Sequence, residues 1–440
     1  MTLEPVHMKE ISEIASEIEY ADTEKEPQDI GDLFMLLSEL KQDDKVFLKA
    51  VGKLSRSIVD MRQMSQTEDQ FEITYASDSG STNPILFERG LVLDICHSVI
   101  ASVPTDLNLH RKRTIVCTGF SAGKKTKLPE NDAWKIFDDG FGKSKMIQID
   151  PAYLRIRVSR MVHDYSIYAS ESEHILRIQP EMNPKGFFIM DGPIYPRQLM
   201  YWMGTNSEKV LVRHDKNAKK ILQNYIDIMD FHLENKMPVI GFVKNPAETQ
   251  IIQFLKEKMK EMGIYTDIAW ATDTQFFKYL LNPELESKTK SKAKTENVRE
   301  KGGSNRFKIT YTNWFLQPNQ FYDDDIKMNS PLIEESVCGK YPEEDYVPAF
   351  FMVRVPFEKS SIVFKIESLY GLIKDEEIRK ETTKKILYEL SIGKIPEALL
   401  KADLIAKIGI GEKRDIKGMF TQDAVEKTYN DTRWGDLDEF

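Results

Sequence analysis

The run Gly186-Phe187-Phe188-Ile189-Met190 is apolar throughout and stops abruptly at Asp191-Gly192-Pro193. A stretch this short and apolar has no polar face to turn to water, so it suits a strand buried on both sides beneath helices. Its surroundings agree. Apolar positions recur at helical spacing from about Pro151 to Ile178 before it and from about Asn217 to Glu234 after it. A second short apolar run, Val239 to Val243, precedes another helical pattern from about Ala247 to Met262. This alternation predicts an α/β core with helices packed on a mixed sheet. Upstream, Phe71 to Ala76 alternates with strand period and ends at Ser77-Asp78-Ser79-Gly80-Ser81, and Ile85 to Pro104 and Thr114 to Thr118 read as further strands. Downstream, Phe307 to Phe315, Ala349 to Val355 and Ser361 to Ile366 read as strands, and Asp375 to Leu390 and Glu397 to Lys407 as helices.

The flanks of this core differ in character. Up to about Ser65, apolar residues such as Leu33, Leu36 and Leu37, then Val46, Phe47, Leu48, Ala50, Val51, Leu54, Ile58 and Met61, recur at helical spacing, which predicts an N-terminal helical segment over residues 1–65. The α/β core is expected over 66–283, its first part, and 307–419, its C-terminal part. Between the two, residues 284–306 carry Lys288, Lys290, Lys292 and Lys294 with few apolar side chains and read as a mobile loop; residues 420–440 read as an acidic tail. With 41% hydrophobic and 30% charged residues, the composition is that of a water-soluble globular chain. No apolar run is long enough to cross a bilayer, and the acidic start lacks the order of a signal peptide, so the expected location is the cytoplasm. Three widely spaced cysteines give neither a disulfide framework nor a zinc knuckle. No GxxxxGK[ST] loop and no GxGxxG after a strand is present, which disfavours a nucleotide-binding protein.

Two of the predicted strands end in an aspartate, Asp78 and Asp191. Hydrolysis of a phosphodiester by two metal ions needs several carboxylates converging on one point, with the ions about 3.5–4 Å apart. Magnesium and manganese prefer oxygen donors, and strand ends supply them rigidly. Taken singly, each aspartate is better explained as the opening residue of a turn. The net charge of −9 means that any grip on nucleic acid must come from local basic groups. Candidates are Lys244 at a strand end, the Arg111-Lys112-Arg113 cluster, the trio Lys124, Lys125 and Lys127, and the lysines of 288–301.

Several blocks, in order, resemble those of the NurA nuclease family. They are Tyr75 to Ser81 followed by Gly90 to Asp94; Gly186 to Pro196; Pro238 to Lys244; Thr272 to Phe277; Ile362 to Glu367; and Ile395 to Asp403. Each block is short, and their shared order over Phe71 to Lys407 is what carries the resemblance. It implies a ribonuclease H-like fold and a manganese- (or magnesium-) dependent DNA nuclease with 5′-to-3′ exonuclease and single-strand endonuclease activity. It also implies a HerA-type hexameric ATPase as partner in DNA end resection at double-strand breaks, and a homodimer. Asp78 and Asp191 match the family's first two acidic ligands. The family also uses a glutamate on the helix before the second aspartate; Glu173 and Glu171 both qualify, with Glu173 nearer the expected spacing. In the last block, where many members carry Tyr and His, this chain has Ile395 and Asp403. Asp403 can still donate oxygen to a metal, whereas Ile395 offers no hydroxyl. Asp273 is expected to cap the helix bearing Phe276 and Phe277. The altered last block and the acidic balance leave an alternative: a non-catalytic subunit that regulates or loads a DNA-translocating ATPase.

Overall fold

The computed structural model describes residues 4–18, 30–42, 44–87, 90–122, 128–129, 133–151, 158–204, 215–262, 270–283, 305–318, 332, 337–358 and 360–420. The expected loop at 284–306 and tail at 420–440 lie outside them except for residues 305, 306 and 420, as do Lys124, Lys125 and Lys127.

The N-terminal segment is only partly helical. Helices occupy Pro5–Glu17 and Ile30–Leu36, but three strands follow: β1 (Glu39–Gln42), β2 (Lys45–Ala50) and β3 (Arg56–Asp60). The helix expected over Val46 to Met61 is therefore absent. A turn at Gly52, with φ +79°, breaks the segment, and partners remote in sequence then pair its two halves. Two strands joined by such a turn can mimic helical spacing, because tertiary pairing overrides a short local pattern.

The central meander is antiparallel: β4 (Thr74–Ser81), β6 (Leu91–Val103) and β7 (Arg113–Ser121), with the short β5 (Ile85–Leu86) paired on β6. Strands β8 (Lys135–Ile136) and β9 (Gly142–Gln148) extend its outer edge. The Val158–Ile178 helix then crosses to β10 (Phe187–Asp191), parallel to β4, and the Lys216–Asn235 helix crosses to β11 (Val239–Val243), parallel to β10. Beyond these lie β12 (Lys308–Thr312), β13 (Phe315–Leu316) and a long hairpin of β14 (Pro348–Phe357) and β15 (Ser360–Leu369), with β15 antiparallel to β11. The path through the sheet runs β1-β2-β13-β14-β15-β11-β10-β4-β6-β7-β9-β8. This is a mixed α/β fold with a large sheet and helices on both faces.

Strand periodicity assigns the two faces. Phe188 and Met190 of β10 join Tyr165, Ile175, Tyr225 and Ile228 of the two crossover helices in one core. Phe187 and Ile189 point the other way, joining Phe242, Ile366 and the residues Ile386, Leu390, Ala398 and Ala402 from helices Glu376–Gly393 and Glu397–Ala406. Burial on both faces explains why β10 is apolar without alternation. No helix among the described residues is long and apolar enough to cross a membrane.

Candidate metal centre

Asp191 is the last residue of β10 and Asp78 lies in the second half of β4. Met190 pairs with Ser77, so the next residue on each parallel strand brings the two aspartates level. Asp78 shares its face with Ala76, and Asp191 shares its face with Ile189, the face covered by the Glu397–Ala406 helix. That helix supplies Asp403. One carboxylate oxygen from each of Asp78, Asp191 and Asp403 lies within 4.8 Å of the others; the first two residues are half-buried and Asp403 is exposed.

The seat of the Asp403 helix is built into the same strands. Gly80 pairs with His97 one same-face step beyond the Asp78–Val99 pair. A Cβ on Gly80 would lie 1.8 Å from the carbonyl oxygen of Ala406, so only glycine permits the helix end to settle there. The His97 ring nitrogen Nε2 stands 2.8 Å from the same oxygen. Burial, then the nearby Arg113, pushes His97 below its usual pKa, so a neutral ring donates this bond through Nε2–H.

The electrostatics of the cluster are unbalanced. Burial first, then the adjacent Asp191, raise the Asp78 carboxyl to about 7 against the opposing backbone N–H of Ser79, 2.7 Å from Oδ1, and the charge of Lys244. Lys244 Nζ lies 2.7 Å from Asp191 Oδ2, where β11 ends. Three carboxylates facing one ammonium form an all-oxygen donor set with surplus negative charge, which fits a hard divalent cation.

The two glutamates on the Val158–Ile178 helix separate cleanly. Glu171 accepts hydrogen bonds from Ser79 Oγ at 2.6 Å and Tyr225 Oη at 3.2 Å. Ser79 alternates with Asp78, so Glu171 approaches the strand end from the opposite face of the sheet. Burial raises its carboxyl to about 7, with Asp78 and Asp191 adding to the shift. Glu173, favoured by spacing, turns away: Lys143 of β9 lies 3.0 Å from one oxygen and Asn224 Nδ2 3.0 Å from the other. The expectation for Glu173 is corrected in favour of Glu171 as the glutamate beside the cluster. Helix phase left the two open because their partners, on β4 and β9, are remote in sequence.

Other expectations resolve differently. Arg113 directs its guanidinium at the carbonyls of His110 and Lys112, and Arg111 covers the Phe141 ring at 4.0 Å. Asp273 does not cap its own helix. Thr272 does, while the Asp273 carboxylate accepts from the N–H groups of Ile251 and Ile252 in the first turn of the preceding helix. Lys365 and Glu367, within a quoted block, are buried in a cluster with Arg197 and Glu248 that the sequence does not reveal: Lys365 Nζ lies 2.6 Å from Glu248 and 3.2 Å from Glu367, and Arg197 pairs with both acids. His97 and Tyr225 carry no sequence signal, and Gly80, quoted within the first block, serves as the seat of a helix end.

Residues 72–408 match the NurA domain family. No curated protein matches the sequence. Among solved structures, the chain is similar to the NurA nuclease from Sulfolobus solfataricus, with 14% identity, 93% of this chain and 95% of that one covered, and a TM-score of 0.39. It is also similar to a NurA bound to dAMP and manganese (11% identity, 96% and 98% covered, TM-score 0.40) and to a NurA with manganese (11% identity, 94% and 97% covered, TM-score 0.37). The family match begins just before β4, takes in all three clustered aspartates and ends just after the helix that carries Asp403: the chain belongs to the NurA domain family.

Proposed function

We propose that this chain is a metal-dependent deoxyribonuclease whose centre is formed by Asp78, Asp191 and Asp403, with Glu171 beside them. The observation that carries the reading is the convergence of three carboxylates, from two adjacent strands and a helix, with Lys244 as the counter-charge on Asp191. A cluster so poorly neutralised is costly unless a cation completes it. Asp78, Asp191 and Asp403 would hold manganese or magnesium, and Glu171, steered by Ser79 and Tyr225, stands ready to join from the other face. When bound, the ion would lower the pKa of a water and offset charge on the phosphate oxygens. The chain's own contribution is placement. Asp191 at the end of β10 and Asp78 within β4 are fixed by the sheet, the Gly80 seat fixes the third carboxylate, and Lys244 puts a positive charge where a phosphate would lie.

The finer reading follows the family. It is 5′-to-3′ exonuclease and single-strand endonuclease activity, in the cytoplasm, as a homodimer working with a HerA-type hexameric ATPase in DNA end resection during double-strand break repair. A ribonuclease H-like core is supported by the strand order, an antiparallel meander continued from its first strand by two parallel strands reached through helices.

The test is cleavage of end-labelled single-stranded DNA by the purified chain with manganese, with a chelator, and by Asp78→Ala. Cleavage that needs manganese and falls at least about a thousandfold in the variant is expected, a loss of about 4 kcal/mol of transition-state stabilisation. No cleavage by the unaltered chain, with or without a HerA-type ATPase, would sink the nuclease reading and favour the non-catalytic one.

A further inference from the structure

A second feature on the same face of the sheet is electropositive. A cleft of about 340 Å³ opens between the helix Glu376–Gly393 and the turn joining β2 to β3; its walls include Gly52, Lys53, Trp314, Arg379, Lys380 and Lys384, and no carboxylate lines it. Three of the four cations come from neighbouring turns of one helix face, the fourth from the turn opposite. Lys380 pairs with Glu376 outside the cleft, and Arg379 donates to the Ile373 carbonyl, but no carboxylate among the described residues pairs with Lys53 or Lys384. Gly52 adopts φ +79°, and the Arg379 guanidinium lies 3.8 Å from where its Cβ would be. Among the described residues the backbone N–H groups of Gly52 and Lys53 have no hydrogen-bond acceptor. Successive open N–H groups at a left-handed turn, ringed by lysines and arginine, are the ingredients of an anion nest.

The position of the cleft relates it to the metal centre. Asp191 pairs with Phe242, Phe242 with Ile366, and Ile366 with Phe351, and all four side chains share one face. Trp314, in the cleft wall, packs on Phe351 with ring centroids 4.7 Å apart. At about 4.8 Å per strand, the row places the cleft about 20 Å from Asp191, level with it along the strands. That span fits a few nucleotides of a single strand.

We infer that this cleft is a phosphate-binding site that holds the backbone of a DNA strand a few nucleotides away from the strand's contact with the carboxylate centre. The inference rests on the nuclease reading for the identity of the strand, but not for the anion site itself. Lys53 and Lys384 supply charge, Arg379 a planar donor, and the Gly52 turn the backbone donors. The counter-ions released on binding make the contact salt-dependent.

The test is fluorescence anisotropy with labelled oligothymidylates in EDTA, where no cleavage occurs, comparing the unaltered chain with Lys53→Ala/Lys384→Ala. Binding of a strand of about 20 nucleotides is expected to weaken at least about tenfold and to lose about one to two units of salt slope. A tetranucleotide, too short to span both sites, is expected to bind the unaltered chain more weakly than the long strand and to lose its binding in the variant as well. Thermal midpoints of the two proteins should agree, since Lys53 is exposed and Lys384 half-buried without a carboxylate partner. Equal affinity and salt slope for the long strand, with equal midpoints, would overturn the inference. A parallel calorimetric titration with inorganic pyrophosphate separates the sources. Pyrophosphate binding lost in the variant while long-strand binding persists would overturn the strand and assign the cleft to a free phosphate anion. A chain that never cleaves DNA but shows the expected binding losses would lose the nuclease reading and keep this site.

Discussion

Two ionic clusters lie a few strands apart, and they are built on opposite principles. Around Glu367, two acids meet two bases: Arg197 and Lys365 each reach both Glu248 and Glu367. Burial pushes the Glu367 carboxyl up, but the charges of Arg197 and Lys365 outweigh it and hold the group below the usual range. Around Asp78, three acids meet one lysine, and burial together with Asp191 lifts the carboxyl to about 7. The first cluster is balanced in charge by the protein alone. The second is stable as drawn only if a proton or a cation joins it. Density of charge therefore does not mark the candidate site; imbalance of charge does.

The contrast can be broken in several ways. The largest effect is on catalysis. Asp191→Ala should lower DNA cleavage at least about a thousandfold, whereas Glu173→Gln should stay within about threefold, in single-turnover assays with manganese; a large loss in Glu173→Gln would reverse the choice between the glutamates. Next comes stability. Glu367→Gln strips the balanced cluster of one anion and leaves Lys365 buried with excess positive charge. It should cost about 3 kcal/mol in urea unfolding, whereas Asp78→Asn should not destabilise the metal-free protein at all. Third, manganese at a hundredfold excess over its Kd should raise unfolding free energy by about 2.7 kcal/mol, and Asp78→Asn should abolish most of that gain. An equal gain in the variant would place the ion elsewhere.

The smallest effect is on pH dependence without metal. The folded-state pKa of Asp78 is raised, so its contribution to stability is fully present below about pH 4 and is lost as pH rises through about 7. Glu171 acts in the same direction and over the same range. The metal-free thermal midpoint should fall by a few degrees from pH 5.5 to 8, less so in Asp78→Asn, with saturating manganese flattening the profile. A midpoint that rises over this interval in the unaltered chain alone would contradict the imbalance.

Where sequence reading succeeded, a local pattern was enough. The strand ending at Asp191 is readable because burial on both faces leaves no polar residue inside it, and Asp78 because alternation stops near it. Reading failed where the deciding partner lay far along the chain. The residues from Val46 to Met61 look helical until β12 and β13 pair with them. Glu171 and Glu173 differ only in whether Ser79 or Lys143 faces them. The balanced cluster draws its members from Arg197, Glu248 and β15, and its charges carry no periodic trace. Asp403 became a candidate through resemblance, and its approach to the other two aspartates depends on a glycine that could have been dismissed as a turn residue.

That glycine also has a consequence in time. Asp78 and the Gly80 seat belong to the first strand of the central meander, and the Asp403 helix is the last element to bury apolar side chains in the core. During N-to-C synthesis the two carboxylates of β4 and β10 can come together early, but the third cannot arrive until nearly all of the core has left the ribosome. A nascent chain thus carries an incomplete acidic pair, and the carboxylate cluster is not assembled until the helix bearing Asp403 has emerged and docked.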